Sequence, residues 1–187
     1  MKNLFMLVMA ALLSPALAQT TAGRTIKGVT LPVQVVRDGK SLTLNGMGVR
    51  TKVVIKVYVG GLYVERTSKD ANSLISSEQG KLMELVFLRN VGGAAVADAI
   101  NEGFEKNSKE QLPALKERMG KFRALIPDLI KGDKLAFFYD PAKGLIVEAN
   151  GRVAGKIEGR DFAEALFRSW LGNRPADKDL KKGLLGE

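Results

Sequence analysis

The chain has 187 residues and a net charge of +9, and it contains neither cysteine nor histidine. The lack of both residue types excludes disulfides, nucleophilic catalysis by Ser-His or Cys-His pairs, and zinc sites of the usual kind. The basic residues are spread along the chain and the acidic residues form no cluster, so we expect a solvated basic surface with no nucleic-acid partner, no metal and no cofactor.

The first residues are typical of a signal peptide. Lys2 gives a basic start, Leu4–Leu13 is an apolar run, and Ala16–Ala18 is a small-x-small cleavage site. The run is shorter than the roughly 20 residues that span a bilayer, which argues against a membrane anchor, and no cysteine follows it to accept a lipid. We therefore expect residues 1–18 to be removed and residues 19–187 to form one domain in the periplasm of a Gram-negative bacterium.

The next segment predicts β-strands joined by turns. Thr25–Val36 has the composition of a strand, in which Pro32 indicates a sheet edge or a bulge. Arg37–Lys40 contains Asp-Gly, a strong hairpin signal. Ser41–Asn45 follows as a short strand.

The strongest strand signal is residues 53–59, where the odd positions are all apolar and the even positions are mixed. Gly46 and Gly48 allow a sharp change of direction before this run. Arg50 and Tyr58 have the same parity, so an unbroken strand places both on the mixed face, about 26 Å apart. They can hold one anion together only if the chain bends or changes strand between them, and no clear turn residue lies there.

The rest of the chain predicts helices and a second group of strands. A strand continues past a bulge at Gly60-Gly61, and the hydroxyl of Ser108 with Gln111 resembles a capping box. The predicted strands are Leu62–Glu65, Lys81–Arg89, Lys134–Tyr139, Leu145–Ala149 and Arg152–Glu158, and the predicted helices are Asp70–Ser76, Ala94–Lys106, Leu112–Ile130, Asp161–Leu171 and Asp177–Leu185. Strands, helices, strands and helices in that order predict an α+β fold, with an antiparallel sheet and a helical layer on one face.

Five segments resemble the chalcone isomerase fold family, in the family's order: GMGVR, KVYVGGLYVE, KLMELVFLRNV, KLAFFYDPAKGL and DFAEALFRSWLG. They extend over roughly Thr25 to Gly186, and the chain looks most like the exported bacterial chalcone isomerase-like proteins. The family also holds plant chalcone isomerases, plant fatty-acid-binding relatives and non-catalytic helper proteins. The resemblance implies an open-faced β-sandwich, in agreement with the predicted order of elements.

The resemblance also implies roles for particular positions. The plant isomerases cyclise a chalcone to a flavanone with an arginine that holds the nucleophilic oxygen, and that arginine corresponds to Arg50. A threonine and a tyrosine that organise water correspond to Tyr58 and Val96. An asparagine at the far ring corresponds to Gly103, and a nearby hydroxyl residue corresponds to Ser169. Because the tyrosine and the asparagine are both replaced, the resemblance argues against isomerase activity.

Fatty-acid-binding members of the family hold a carboxylate with an arginine and a tyrosine, and Arg50 and Tyr58 are the candidates for that pair. Further ligand contacts are expected from Val96, Gly103, Ser169 and Trp170. Each candidate has a structural alternative: Arg50 pairs with Glu84 or Glu102, because a buried arginine needs a partner, and Tyr58, Ser169 and Trp170 are packing residues. Arg89 is expected to be a surface charge.

Three functions follow. The first is a periplasmic protein that binds a small apolar anion, such as a fatty acid, without catalysis. The second is an intramolecular lyase of the chalcone isomerase type, with Arg50 as its catalytic residue. The third is an envelope interaction module whose cleft is filled by side chains.

Overall fold

The last seven strands along the chain are antiparallel, and each is hydrogen-bonded to the next to form the main sheet. The structure, a computed structural model, describes residues 22–187, so the predicted signal peptide lies outside the described residues. The strands are β1 Gly23–Ile26, β2 Val29–Pro32, β3 Gln34–Arg37, β4 Lys40–Lys52, β5 Ile55–Val64, β6 Lys81–Phe87, β7 Lys134–Asp140, β8 Gly144–Ala149 and β9 Arg152–Ile157. The helices are α1 Ala71–Ser76, α2 Gly93–Asn107, α3 Leu112–Ala124, α4 Arg160–Leu171 and α5 Lys178–Leu184.

The two faces of the sheet bury separate apolar clusters. One face packs against the helices through rings that include Phe104, Phe122 and Phe162. The other face buries Leu31 of β2 against strand residues such as Val59. The predicted α+β fold, with an antiparallel sheet and a helical layer, is therefore confirmed.

The prediction of one continuous strand over Thr25–Val36 is wrong, because this segment contains parts of three strands. The chain turns back at Lys27 and Gly28, whose φ angles are 53° and 77°. β1 and β2 therefore form their own two-stranded hairpin, and only β3 joins the main sheet. A two-residue loop with positive φ at both positions matches the twist of the strands that it connects. Gly28 is the one residue in the sequence that indicates this turn.

The predicted strand over residues 53–59 is confirmed for residues 55–59 but wrong at its start, because Val53 and Val54 are the two-residue loop of a hairpin. β4 runs without a break from Lys40 to Lys52, and β5 begins at Ile55. Val53 has a φ of 61°, which is unusual for a β-branched residue. β-Branched residues dominate this segment and are typical of strands, so its composition does not indicate a turn.

Gly46 and Gly48 serve a different purpose from the predicted change of direction. They lie inside β4, and a Cβ on Gly46 would collide with the carbonyl oxygens of Gly183 and Leu184. The two glycines therefore let α5 pack directly on the backbone of β4. The hairpin has two register shifts, one at Asn45, between the pairs Leu44–Tyr63 and Gly46–Leu62, and one at Val57, between the pairs Arg50–Tyr58 and Thr51–Lys56. Neither is at Gly60-Gly61.

Two helix ends differ from the prediction. α3 ends at Ala124 and not at Ile130, although Leu129 is still buried and pairs with Val91. The predicted capping box does not form, because the Ser108 hydroxyl has no hydrogen-bond partner among the described residues. Asp70 caps the N-terminus of α1, since its carboxylate accepts from the backbone N–H of Asn72 at 2.9 Å.

A buried lysine closes the C-terminal end of α1. Lys81 is 1% exposed, and its Nζ donates to the carbonyl oxygens of Leu74, Ile75 and Ser77 at 3.1, 2.8 and 3.1 Å. These carbonyls lie at the negative end of the helix and have few other partners. Burial lowers the pKa of Lys81 to about 8.

Replacing this lysine will destabilise the fold in a pH-dependent way. Lys81→Met leaves three carbonyls without their donor and should lower the free energy of unfolding by about 2–3 kcal/mol. The folded pKa is about 8 and the unfolded value is 10.5, so between these pH values the unfolded chain keeps a proton that the folded chain has lost. The wild type should therefore gain stability over Lys81→Met as pH rises through this window.

Urea unfolding of both proteins at about pH 7 and about pH 9.5 measures the difference. Lys69→Met, which alters an exposed lysine, is the control and should show no such trend. A gap between wild type and Lys81→Met that stays constant with pH would contradict the predicted pKa.

Candidate functional site

The β4–β5 hairpin brings two of the candidate residues together. Arg50 on β4 and Tyr58 on β5 are direct partners in the strand register. Side chains of directly opposite residues lie on the same face, with Cβ atoms about 4.5–5.5 Å apart. The separation of about 26 Å expected for one unbroken strand does not apply, because the chain changes strand at Val53 and Val54.

A cavity of about 530 Å³ lies beside this pair, between the sheet, α2 and α4. Its volume falls within the range of small-molecule sites. Most of its wall is apolar, and its lining includes exposed residues, so it opens to the surface. The lining residues are Arg50, Lys52, Val53, Ile55, Val57, Tyr58, Leu85, Phe87, Arg89, Asn90, Val91, Gly92, Ala95, Val96, Ala99, Ile100, Ser169, Trp170 and Ala176.

Arg50 is half-buried at the wall of the cavity. Its Nη1 donates to the carbonyl oxygen of Ala176 at 3.1 Å, and Ala176 is fixed in turn by a backbone hydrogen bond to Ser169 at 2.8 Å. A guanidinium has five N–H donors, so most of the hydrogen-bonding capacity of Arg50 is left for another acceptor.

Neither of the predicted internal partners neutralises Arg50. Glu84 lies near Arg37 and Lys134, and Glu102 pairs with Lys106. Over residues 22–187 no carboxylate oxygen comes within 4.0 Å of the Arg50 guanidinium. The cation is thus oriented by a neutral carbonyl and is not paired with an anion in this part of the chain.

Tyr58 is buried with its hydroxyl held by Trp170. The indole Nε1 donates to the Tyr58 hydroxyl oxygen at 2.8 Å. Burial raises the pKa of Tyr58 to about 12, an effect that the nearby charge of Arg50 and the Trp170 hydrogen bond oppose. The phenol therefore stays protonated at neutral pH, and because the indole occupies its oxygen, its O–H remains available as a donor.

Ser169 adds a third polar group. It is buried on α4 and lines the cavity, and its Oγ has no hydrogen-bond partner among residues 22–187. Buried hydroxyl groups are normally hydrogen-bonded. A Cβ on Gly103, which lies outside the cavity lining, would collide with this Oγ, so the hydroxyl faces the contact between α2 and α4.

The remaining candidates are divided. Val96 lines the cavity and presents no hydroxyl where the plant isomerases have a tyrosine. Gly103 is not part of the lining, because it lies where α2 packs on α4, and a Cβ at this position would collide with the Oγ of Ser169. The sequence therefore located five of its six candidates at one cavity, and Gly103 is a packing residue.

Other residues at the cavity were not found by sequence reasoning. Arg89, expected to be a surface charge, is exposed but also lines the cavity opening with Lys52 and Asn90. Ala176 approaches Arg50 only through folding of the α4–α5 connection, and a lone alanine in a loop gives no sequence signal for such a contact.

The described part of the chain offers neither a metal site nor a membrane span. Residues 22–187 contain no group of three or more Asp or Glu side chains arranged to hold a metal ion. None of the described helices combines the length and the apolar character needed to cross a membrane.

Comparison with known proteins agrees with this architecture. A crystal structure of a fatty-acid binding protein from Arabidopsis thaliana has a similar fold, with a TM-score of 0.71 and 14% sequence identity over 88% of this chain and 96% of that chain. A search of curated protein sequences found no match. A family model described as chalcone isomerase-like matches residues 23–186. The chain therefore belongs to the chalcone isomerase-like family.

Proposed function

We propose that this protein binds a small apolar anion, most simply a fatty acid, in the cavity and without catalysis. The observation that best supports the proposal is the Arg50 guanidinium, which lies on an apolar wall with no carboxylate within 4.0 Å in residues 22–187. A cation in such a place attracts an anion with an apolar body. The fold similarity to a fatty-acid binding protein at 14% identity is consistent with this ligand class.

The polar groups of the cavity suit a carboxylate head. Arg50 offers N–H donors that match the two oxygens of a carboxylate. The protonated Tyr58 offers one O–H on the same face of the hairpin. The apolar side chains of Phe87 and Ile100 provide a surface for the hydrocarbon tail.

The same geometry disfavours the two alternative functions. An isomerase of the chalcone type would use Arg50, but Val96 supplies no hydroxyl to organise water and Gly103 lies outside the cavity lining. The raised pKa of Tyr58 also prevents it from acting as a base near neutral pH. An interaction module with a filled cleft does not agree with an open cavity of about 530 Å³.

Export is part of the proposal. We expect the mature protein to begin at Gln19 in the periplasm, after removal of residues 1–18. The intact mass of the protein recovered from a periplasmic extract should equal that of residues 19–187. Recovery of the full-length chain from the cytoplasm alone would contradict the predicted export.

Removing the guanidinium should weaken binding of the acid specifically. Arg50→Ala deletes the charge-assisted hydrogen bonds to the carboxylate. Hydrogen bonds to charged groups contribute roughly 1.5–3 kcal/mol, so the Kd for a long-chain fatty acid should rise about 10- to 100-fold. Displacement of a fluorescent fatty-acid analogue measures this. Arg152→Ala, at an exposed position on β9 away from the cavity lining, is the matched control and should bind normally.

A fatty alcohol with the same chain separates the head group from the tail. The alcohol should bind the wild type and Arg50→Ala with similar affinity, because it presents no charge to the guanidinium. Equal weakening for acid and alcohol would mean that the substitution damages the cavity as a whole. No binding of either ligand to the wild type would refute the proposed function.

Filling the apolar part of the cavity should exclude the tail. Ala99 on α2 lines the cavity, whereas Ala94 is an exposed residue of the same helix outside the lining. Ala99→Phe should weaken fatty-acid binding by about tenfold or more, with greater losses for longer chains, because the new ring occupies space that the tail needs. Ala94→Phe is the control with the same change in side-chain volume, and equal affinities for both variants would place the ligand elsewhere.

A further inference from the structure

The tip of the β4–β5 hairpin exposes three consecutive apolar residues. Val53, Val54 and Ile55 are 90%, 84% and 46% exposed. Single exposed apolar residues are ordinary, but contiguous ones indicate an interaction site. Two of the three, Val53 and Ile55, also line the cavity, so the tip forms part of its opening.

The backbone at this tip gives no structural reason for an apolar residue. Val53 occupies the first position of a two-residue loop with a φ of 61°, a conformation in which hairpins prefer glycine and which is unfavourable for a β-branched side chain. Its side chain projects almost entirely into solvent and stabilises no packing. Valine at this position therefore has a conformational cost that packing within the described residues does not offset.

Positive charges surround the tip. Lys52 and Lys56 flank it in sequence, and the Lys27 ammonium lies close enough to lower the pKa of Lys56. Arg89 lines the cavity opening with Val53. Across residues 22–187, no carboxylate oxygen lies within 4.0 Å of any of these cationic groups.

We propose that the hairpin tip docks on the surface of an anionic lipid bilayer and turns the cavity opening toward it. The valines enter the boundary between head groups and acyl chains, while the cations one to three positions away contact the anionic head groups. Docking itself requires only the tip and its charges. Passage of a fatty acid between membrane and cavity rests, in addition, on the proposed function.

The shape of the tip favours a bilayer over a protein partner. Val53 and Val54 form a convex, protruding end, and a bilayer accepts such an end without a complementary pocket. The cations lie immediately behind the apolar tip, on strands that rise about 3.3 Å per residue. When the tip enters a membrane, its apolar end therefore reaches the deeper apolar region while the cations stay at the level of the head groups.

Vesicle binding tests the proposal with residues outside the cavity. Val54, Lys27 and Lys56 belong to the tip region but not to the cavity lining. The triple variant Val54→Ser, Lys27→Gln, Lys56→Gln should lose about tenfold or more of its partitioning to vesicles of phosphatidylcholine with about a third phosphatidylglycerol. Sedimentation of vesicles measures the bound fraction, which should also fall with added salt for the wild type.

The matched control makes the same types of substitution elsewhere. Val36 is 63% exposed, and Lys69 and Lys116 are exposed lysines without a carboxylate within 4.0 Å in the described chain. The variant Val36→Ser, Lys69→Gln, Lys116→Gln should bind anionic vesicles like the wild type. Equal losses in both triple variants would show binding by net charge alone and would overturn docking through the tip, as would a wild type that does not bind anionic vesicles.

Two further measurements separate docking from the proposed function. The tip variant should retain its affinity for fatty acid in solution but transfer a fluorescent fatty acid to anionic vesicles about tenfold more slowly. Arg50→Ala should bind vesicles like the wild type, because Arg50 lies inside the cavity and not at the tip. Unchanged transfer by the tip variant would contradict exchange through this opening, whereas failure of fatty-acid binding alone would leave the vesicle result intact.

Discussion

The cross-strand pairing of Arg50 with Tyr58 is the contact on which the organisation of this site depends. Each side chain is held from the other layer of the molecule: the guanidinium by the carbonyl of Ala176, and the phenol by the indole of Trp170. Both holding residues belong to α4 or the segment after it, so the hairpin and this helix define the site together. Both contacts use neutral groups, so neither of them cancels the charge of Arg50, and the nearby Asp177 carboxylate accepts from the backbone N–H of Thr51 at 2.8 Å.

An unpaired cation next to an apolar wall is costly in the free energy of folding unless water or an anion reaches it. Arg50 is half-buried at an open cavity, so water reaches it when no ligand is bound. A carboxylate that enters with its tail exchanges this water for charge-assisted hydrogen bonds and removes its hydrocarbon from solvent at the same time. Binding an apolar anion therefore uses the polar and the apolar parts of the cavity together.

Sequence reasoning found the helical face, the C-terminal strands and most of the candidates that line the cavity, because these depend on periodicity and on motifs carried by neighbouring residues. It failed at the hairpin turn, since Val53 and Val54 have the composition of a strand and only the long-range pairing of β4 with β5 makes them a loop. It misjudged Gly46 for a related reason: its small size is explained by α5, which lies far along the chain. Gly103 was assigned by analogy with a ring contact, yet its neighbour is Ser169.

The missed turn also changes what the hairpin can do. If residues 53–59 were one strand, their odd positions would be buried and no apolar side chains would protrude into solvent. As a hairpin, the same sequence places Arg50 and Tyr58 together at the cavity and an apolar tip with flanking lysines at its opening, only a few residues apart. Because strands are stiff and rise by about 3.3 Å per residue, a contact at Val54 fixes the distance of Arg50 from whatever the tip touches. The element that carries the proposed head-group residues is thus the same element that forms part of the opening, and the positive φ of Val53 fits a tip whose side chains are proposed to act outside the fold.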